Sequence, residues 1–306
     1  MDENESLTSL TPSTSLTSLT QSFEEQRSHL RAVAYRMLGS LSEADDALQE
    51  AWLRASRAGT AGVENLAGWL TTVVARVCLN MLRSRDHRRE DPLDAQVSDP
   101  VMGPEPGSDP VQEAELADSV GHAMLVVLDT LAPAERLAFV LHDMFAVPFD
   151  DIAPMIERSA AATRQLASRA RRRVKGGGVV PAADLARQRE VVDAFLAATR
   201  GGNFDALVSL LHPGVVLRAD KAVIPTPEPI RVSGAHAVAK GAMAAVERAQ
   251  FTGVALVDGA VGLAMARHGR LVLVLAFTLT DGHITEIEVI AEPHHLRRLD
   301  LAVLDV

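Results

Sequence analysis

Between Ser159 and Lys175 the chain reads SAAATRQLASRARRRVK, and its polar residues are spaced for contact with a polyanion. On a helix, Arg164, Ser168, Arg171 and Arg172 share one face, with Thr163, Gln165 and Arg169 alongside. Guanidinium forks match phosphate oxygens and guanine edges, so such a helix fits a major groove. A second basic set, Arg76, Asn80, Arg83, Arg85 and Arg88, follows Trp69; an aromatic residue at one helix end and cations at the other suit separated strands. A third set, Asp45, Asp46, Gln49 and Glu50, forms an acidic polar face that solvation alone would also explain. Proton chemistry is conceivable only in the last third. There Asp220, His212, His236, His283 and Glu288 could abstract a proton beside a carbonyl, although nothing in their spacing fixes a shared site. His294 and His295 read as a solvated pair rather than a metal site, and Cys78 as a small buried hydrophobe within an apolar helical pattern. No metal or cofactor is expected.

The elements that must position these groups follow from periodicity. Phe149, Ile152, Ala153 and Ile156 make the apolar stripe of a short helix, which Pro154 should kink. Ser159 caps the next helix, whose Ala162, Leu166, Ala170 and Val174 pack back on the first, so the pair reads as a helix-turn-helix. Upstream, Val120, Met124, Val127, Leu128 and Leu131, then Leu137, Val140, Leu141 and Met144, mark two further helices. Nearer the start, Leu30 to Leu38 make a helix stopped by Gly39; Ser42 caps a second with Ala44, Ala47, Leu48 and Ala51 inward; and Leu66 to Met81 define a third. Residues 1–22, rich in Ser, Leu and Thr, read as a disordered tail.

Of 306 residues, 47% are hydrophobic, enough for two or three cores. The longest apolar runs, such as Leu271 to Phe277, fall far short of the roughly 20 residues that span a bilayer, and the first residues lack a basic-then-apolar signal, so a cytoplasmic location is expected. The net charge of −10 is unevenly spread. Phe23 to Glu90 holds 10 basic and 9 acidic residues, and Ser119 to Lys175 holds 8 and 6, but Asp91 to Asp118 holds 8 acids and no base. That stretch, with five prolines, reads as an extended linker. A protein so built should bind DNA poorly alone and better when something else holds it there.

Taken together, HLRAVAYRMLGSLSEADDALQEAWLRA, NLAGWLTTVVARVCLNMLRSRDHRRE and LDTLAPAERLAFVLHDMF with the helix-turn-helix resemble regions two and four of the extracytoplasmic-function sigma factors of bacterial RNA polymerase, over about half of the chain. The resemblance implies that the Asp45 to Glu50 face binds core polymerase. It implies that the loop before Trp69 and the helix through Asn80 and Arg83 read and melt the upstream edge of the bubble, and that Arg164, Gln165, Ser168 and Arg169 lie in the distal promoter element. After KGGG at Lys175 to Gly178 the texture changes to two helices, then strands at Val215 to Arg218, Val254 to Val257, Val261 to Arg267, Leu271 to Thr280 and Ile284 to Ile290, with turns at Asp258-Gly259, His268-Gly269 and Asp281-Gly282. This antiparallel pattern resembles a SnoaL-like domain of the nuclear-transport-factor-two superfamily. Relatives of that build carry a Pro-Glu-Pro element in the linker, matched by Pro104, Glu105 and Pro106, and an Asn-Pro-Asp-Lys-Leu-type element near the end, matched here only at Pro293 and Leu296. A Gly-rich Asp-to-Lys element would fall at Arg218 to Lys221, where the glycines are missing.

The expected architecture is therefore multidomain: an all-α module at 23–90, the linker at 91–118, a second all-α module at 119–175, a Gly hinge at 176–181 and an α+β cone at 182–306. The expected partners are core polymerase and promoter DNA, with a small-molecule ligand or a protein regulator open for the third domain. That domain is expected to act on the linker, where Arg297 and Arg298 would meet acids around Pro104 to Pro106. The rivals are a helix-turn-helix regulator that binds duplex DNA without polymerase and an isomerase-like enzyme in the cone.

Overall fold

The computed structural model describes residues 12–90, 121–176, 182–223, 228–267 and 270–304. Three long helices make the first module: α1 (Pro12–Leu38), α2 (Leu41–Ala58) and α3 (Leu66–Glu90), each packed on the other two. Helix α1 begins at Pro12, well inside the stretch expected to be a disordered tail. Leu19 and Phe23 are buried, and Phe23 meets Trp52 of α2 edge to face at 5.2 Å. Two buried apolar residues one turn apart, the second against a tryptophan, outweigh the low helix propensity of the Ser and Thr around them. Residues 1–11 lie outside the described range. Gly39, at φ 79°, ends α1 as expected, but Ser40 rather than Ser42 caps α2, accepting the Glu43 amide at 3.4 Å. Ser42 instead bonds Ser40 through the two hydroxyls, 3.0 Å apart.

The second module holds α4 (His122–Thr130), α5 (Pro133–Phe139) with a π-helical turn at Val140–Met144, α6 (Phe149–Ile152) tightening to a 3-10 turn at Ala153–Met155, and α7 (Ala160–Lys175). The 3-10 turn is the break expected from Pro154, whose missing amide cannot continue the α-helical ladder. Glu157 takes φ 56° in the tight turn before α7, a conformation in which a β-carbon is strained. Residues 91–120, the acidic linker with Pro104, Glu105 and Pro106, lie outside the described range.

The third part contains α8 (Ala182–Arg200), α9 (Phe204–Leu210), β1 (Leu211–Ala219), β2 (Ile230–Ser233), α10 (Ala235–Met243), α11 (Val246–Ala249), β3 (Thr252–Val257), β4 (Ala260–Arg267), β5 (Arg270–Thr280), β6 (His283–Ile290), α12 (Pro293–Leu296) and β7 (Leu301–Ala302). The seven strands run β2-β1-β6-β5-β4-β3-β7. Asp258-Gly259 and Asp281-Gly282 turn two hairpins with positive φ at both residues, as two-residue turns demand. The sheet is mixed rather than wholly antiparallel, because β1 pairs β6 in parallel. No local pattern marks that pairing, since β1 and β6 are separated by four intervening strands in sequence.

One face of the sheet, with Val261, Leu263, Met265, Phe277 and Ile287, packs with α8, α9 and α10 into one core. The other face is lined on its β3-β4-β5 side by small or apolar residues, Ala255, Ala264, Ala266 and Val274, which belong instead to the core of the helical modules. Helix α4 lies across these strands and β7. Its Leu125, Val126, Val127 and Leu128 are all buried, as a helix apolar all round requires. The end of α7 is also held: the Val303 amide donates to the Val174 carbonyl at 2.8 Å, and a β-carbon at Gly176 would stand 2.7 Å from that of Ala302. Gly176 thus packs against β7, and residues 177–181, the rest of the expected Gly hinge, lie outside the described range.

Candidate nucleic-acid interface

Helix α7 presents a clean division of faces. Ser159 caps it, accepting the Ala162 amide at 3.2 Å, and Thr163, Ala167, Ala170 and Val174 are buried. Ala170 and Val174 face inward as expected, while in the first half of the helix the stripe runs through Thr163 and Ala167 rather than Ala162 and Leu166. This withdraws Thr163 from the outer face: it is fully buried and its hydroxyl donates to the Ser159 carbonyl at 3.0 Å. Arg164, Gln165, Ser168, Arg169 and Arg172 are exposed. Arg164 lies 5.3 Å over the Phe149 ring, which orients its guanidinium outward from the turn. Arg171 is partly engaged, with Asp143 at 2.5 Å, as is Arg173 with Glu135 at 3.2 Å, so the arginine run divides into cations that tie α7 to α5 and the π turn, and cations that face solvent.

On α3 the exposed residues Arg76, Asn80 and Arg83 fall at successive spacings of four and three, a single stripe that continues back to half-buried Trp69. Arg85 does not join them. It is buried, bonded to the Glu43 carboxylate, and donates to the Leu38 carbonyl at 3.5 Å. Its place was readable, since it stands three residues after buried Leu82 and seven after buried Cys78. The thiol of Cys78 is pushed by burial up to about 12 and is inert at neutral pH. The side chain of Arg88 lies outside the described residues. Replacing Arg85 with alanine is therefore expected to lower stability by about 1–3 kcal/mol, by stranding Glu43, while leaving promoter choice unchanged. Denaturant unfolding alongside a promoter-binding profile separates the two effects.

The acidic face of α2 is outward, as expected. Asp46 and Gln49 are exposed, Asp45 is held by Arg31 at 2.8 Å, and Glu50 by Arg54 at 2.7 Å. At the C-terminal end of this face stands Leu53, 45% exposed, the one large hydrophobic side chain exposed to that degree among the described residues. Sequence reasoning passed over it, although a leucine three, four and seven residues from Glu50, Gln49 and Asp46 breaks the polar pattern of a solvated face. An open groove of about 650 Å³ between α2 and α3 runs from Glu50 past Met81 to Asn80, joining the acidic face to the basic stripe.

The polar candidates of the third part do not converge. The Asp220 carboxylate accepts three backbone amides, from Ala222 at 2.9 Å, Ala291 at 2.7 Å and Glu292 at 2.8 Å, and so anchors the turn before α12. Lys221 pairs with Glu292 at 3.6 Å, not with Asp220. His212 and His283 are exposed and bonded within their own turns, His236 packs near Phe204, and Glu288 lies exposed on the sheet. Pro293 opens α12 and Leu296 is buried beneath it, while Arg297 and Arg298 are exposed. No helix among the described residues is long and apolar enough to cross a membrane.

Two family models match the helical modules. Sigma-70 region 2 matches residues 23–88 and sigma-70 region 4 matches 122–174. Among curated proteins the chain is 37% identical over 285 residues to the ECF RNA polymerase sigma factor SigJ of Mycobacterium tuberculosis, covering 89% of this chain and 91% of that protein. It is 34% identical over 273 residues to the probable ECF RNA polymerase sigma factor SigI of the same species, covering 88% and 92%. The crystal structure of Mycobacterium tuberculosis SigJ aligns over 90% of this chain and 97% of that one, at 32% identity and a TM-score of 0.42.

Proposed function

This chain belongs to the extracytoplasmic-function sigma factors of RNA polymerase, and from that premise we propose how its surfaces divide the work and how its third domain governs them. As a sigma factor it binds core polymerase and promoter DNA and catalyses no reaction itself. In our reading it works in the cytoplasm beside core polymerase. The α2 face of Asp46, Gln49, Glu50 and Leu53 meets the polymerase. The α3 stripe of Trp69, Arg76, Asn80 and Arg83 holds the upstream edge of the melted bubble, and the outer face of α7 reads the distal element. Alanine at Arg164 or Arg169 is expected to cost about 1–3 kcal/mol and to change which promoters are used if the side chain reads a base. A pure phosphate contact would instead weaken all promoters alike. Transcription across a promoter panel, repeated at several salt concentrations, distinguishes these, and no change in either variant would mean that α7 is not the reading helix.

The regulatory reading is that the third domain holds the two DNA-reading modules in a closed, idle arrangement. The observation that carries it is α4, which is shared between the second module and the sheet. A linker of 28 residues, Asp91 to Asp118, has a reach of roughly 90–100 Å, yet the modules it joins are in side-chain contact through Arg136 and the Arg36 carbonyl. Such length serves a separated state on DNA rather than the closed one. In this reading Arg297 and Arg298, both exposed, hold the acidic linker as well, a contact that joining within one chain would keep occupied. Charge reversal at both should change transcription and the protease sensitivity of the linker together.

A further inference from the structure

Where the three modules meet, closure buries a guanidinium with incomplete pairing. Arg136 of α5 has a side chain 2% exposed. Its Nε and Nη2 donate to one acceptor, the Arg36 carbonyl in the last turn of α1, each at a long 3.3 Å. Its Nη1 stands 3.8 Å from Oδ1 of Asp129 in α4, within ion-pair range but beyond a hydrogen bond. The other Asp129 oxygen accepts the Leu271 amide of β5 at 3.3 Å. Two side chains therefore touch all three modules. Around them Arg36 keeps a buried Nε with no partner and lies 5.1 Å from the Phe145 ring, whose edge meets His29 at 5.2 Å. Among the described residues, the Asp129 and Glu43 carboxylates favour the Arg136 charge and the Arg85 guanidinium opposes it.

A buried charge that is well forked to a carboxylate fixes an interface, whereas one left on a shared carbonyl weakens it, and a packed apolar side chain of similar length is often the more stable choice. We propose that Arg136 is a positioning residue for promoter engagement: it keeps the closed arrangement only marginally favourable, so that polymerase and DNA can draw the two reading modules apart. The proposal rests on the reading that the closed arrangement is idle. Apolar contacts such as those of Phe145 hold the seam shut, and the return of the Arg136 guanidinium to water favours opening. Burial pushes Arg136 down to about 10, with Asp129 acting against that shift, so it remains charged at neutral pH and the bias is permanent.

The test uses the full chain, with hydrogen exchange at the amides of α5 and the last turn of α1 as one readout and transcription with core polymerase as the other. Arg136→Met should slow exchange at the seam at least ten-fold and reduce transcription several-fold. Asp129→Asn removes the counter-charge yet keeps an oxygen for the Leu271 amide; it should speed exchange and raise transcription, as should Phe145→Ala. Arg136→Lys, which restores the charge, should return both readouts toward the original. A merely structural role would move every variant in one direction, and faster exchange in Arg136→Met, or slower exchange in Asp129→Asn, overturns the proposal. Should Arg136→Met fail to fold, the Asp129→Asn result decides alone. Exchange that shifts as expected with transcription unchanged would uphold Arg136 as the weak point of the seam and overturn instead the idle reading of closure.

Discussion

A chain cut after Lys175 is expected to lose its second module and to aggregate, rather than to behave as a sigma factor released from control. Helix α4 buries Leu125, Val126, Val127 and Leu128, and the sheet supplies part of that cover. Each fully buried aliphatic side chain stabilises by about 1.5–3 kcal/mol, so uncovering even two removes a large share of a net stability of about 5–15 kcal/mol. The cut also removes the Val303 amide from the Val174 carbonyl at the end of α7. Size-exclusion chromatography and circular dichroism of the shortened chain give the answer. A monodisperse monomer with the full helix content of residues 12–175 would show that the sheet is an appendage and not a completion of the core. Because of this, point substitutions in the seam or at Arg297 and Arg298 are sounder probes of regulation than deletion.

Charge reversal at Asp46 and Glu50 together is expected to abolish association with core polymerase, with helix content unchanged. Both side chains point away from the bundle, so neither substitution disturbs packing; the loss of the Glu50 contact to Arg54 is an exposed pair worth about 0.3–0.5 kcal/mol. Leu53→Asp should have a comparable effect by itself. An exposed leucine beside Gln49 and Glu50 is suited to be an interface anchor bordered by polar contacts, and losing an anchor of this kind costs at least about 2 kcal/mol, roughly thirty-fold in affinity. Co-elution with purified core polymerase is the readout. Undiminished binding of the double variant would remove α2 from the interface, and unchanged binding of Leu53→Asp would confine the contact to the charges.

Much of this architecture was legible because local chemistry and tertiary contact agree. Ser159 announces α7, Pro154 announces the break before it, and the Asp-Gly pairs fix two hairpins. Where the reading went astray, a side chain was assigned by charge rather than by its angle on the helix. Thr163 and Arg85 were counted as outward because of what they are, yet each stands three or four and seven residues from buried neighbours. Leu19 was discounted because Ser and Thr surround it, although it stands one turn before Phe23. The apolar circumference of α4 was visible as AMLVVL, but a second partner for it could not be named before the small-residue face of the sheet was known. Strand order gave no local sign at all, and with it the parallel pairing of β1 and β6.

The most direct test of the closed arrangement is a distance. Labels attached at Ala58→Cys on α2 and Asp150→Cys on α6 report the separation of the two reading modules, and buried Cys78 will not compete for the reagent. The free chain should give a single distance. With core polymerase and promoter DNA that distance should lengthen, and it should lengthen more readily in Asp129→Asn than in Arg136→Met. A separation that is the same in the free chain and in the transcribing complex would contradict the account, because the modules would then engage the promoter in the arrangement described here as idle.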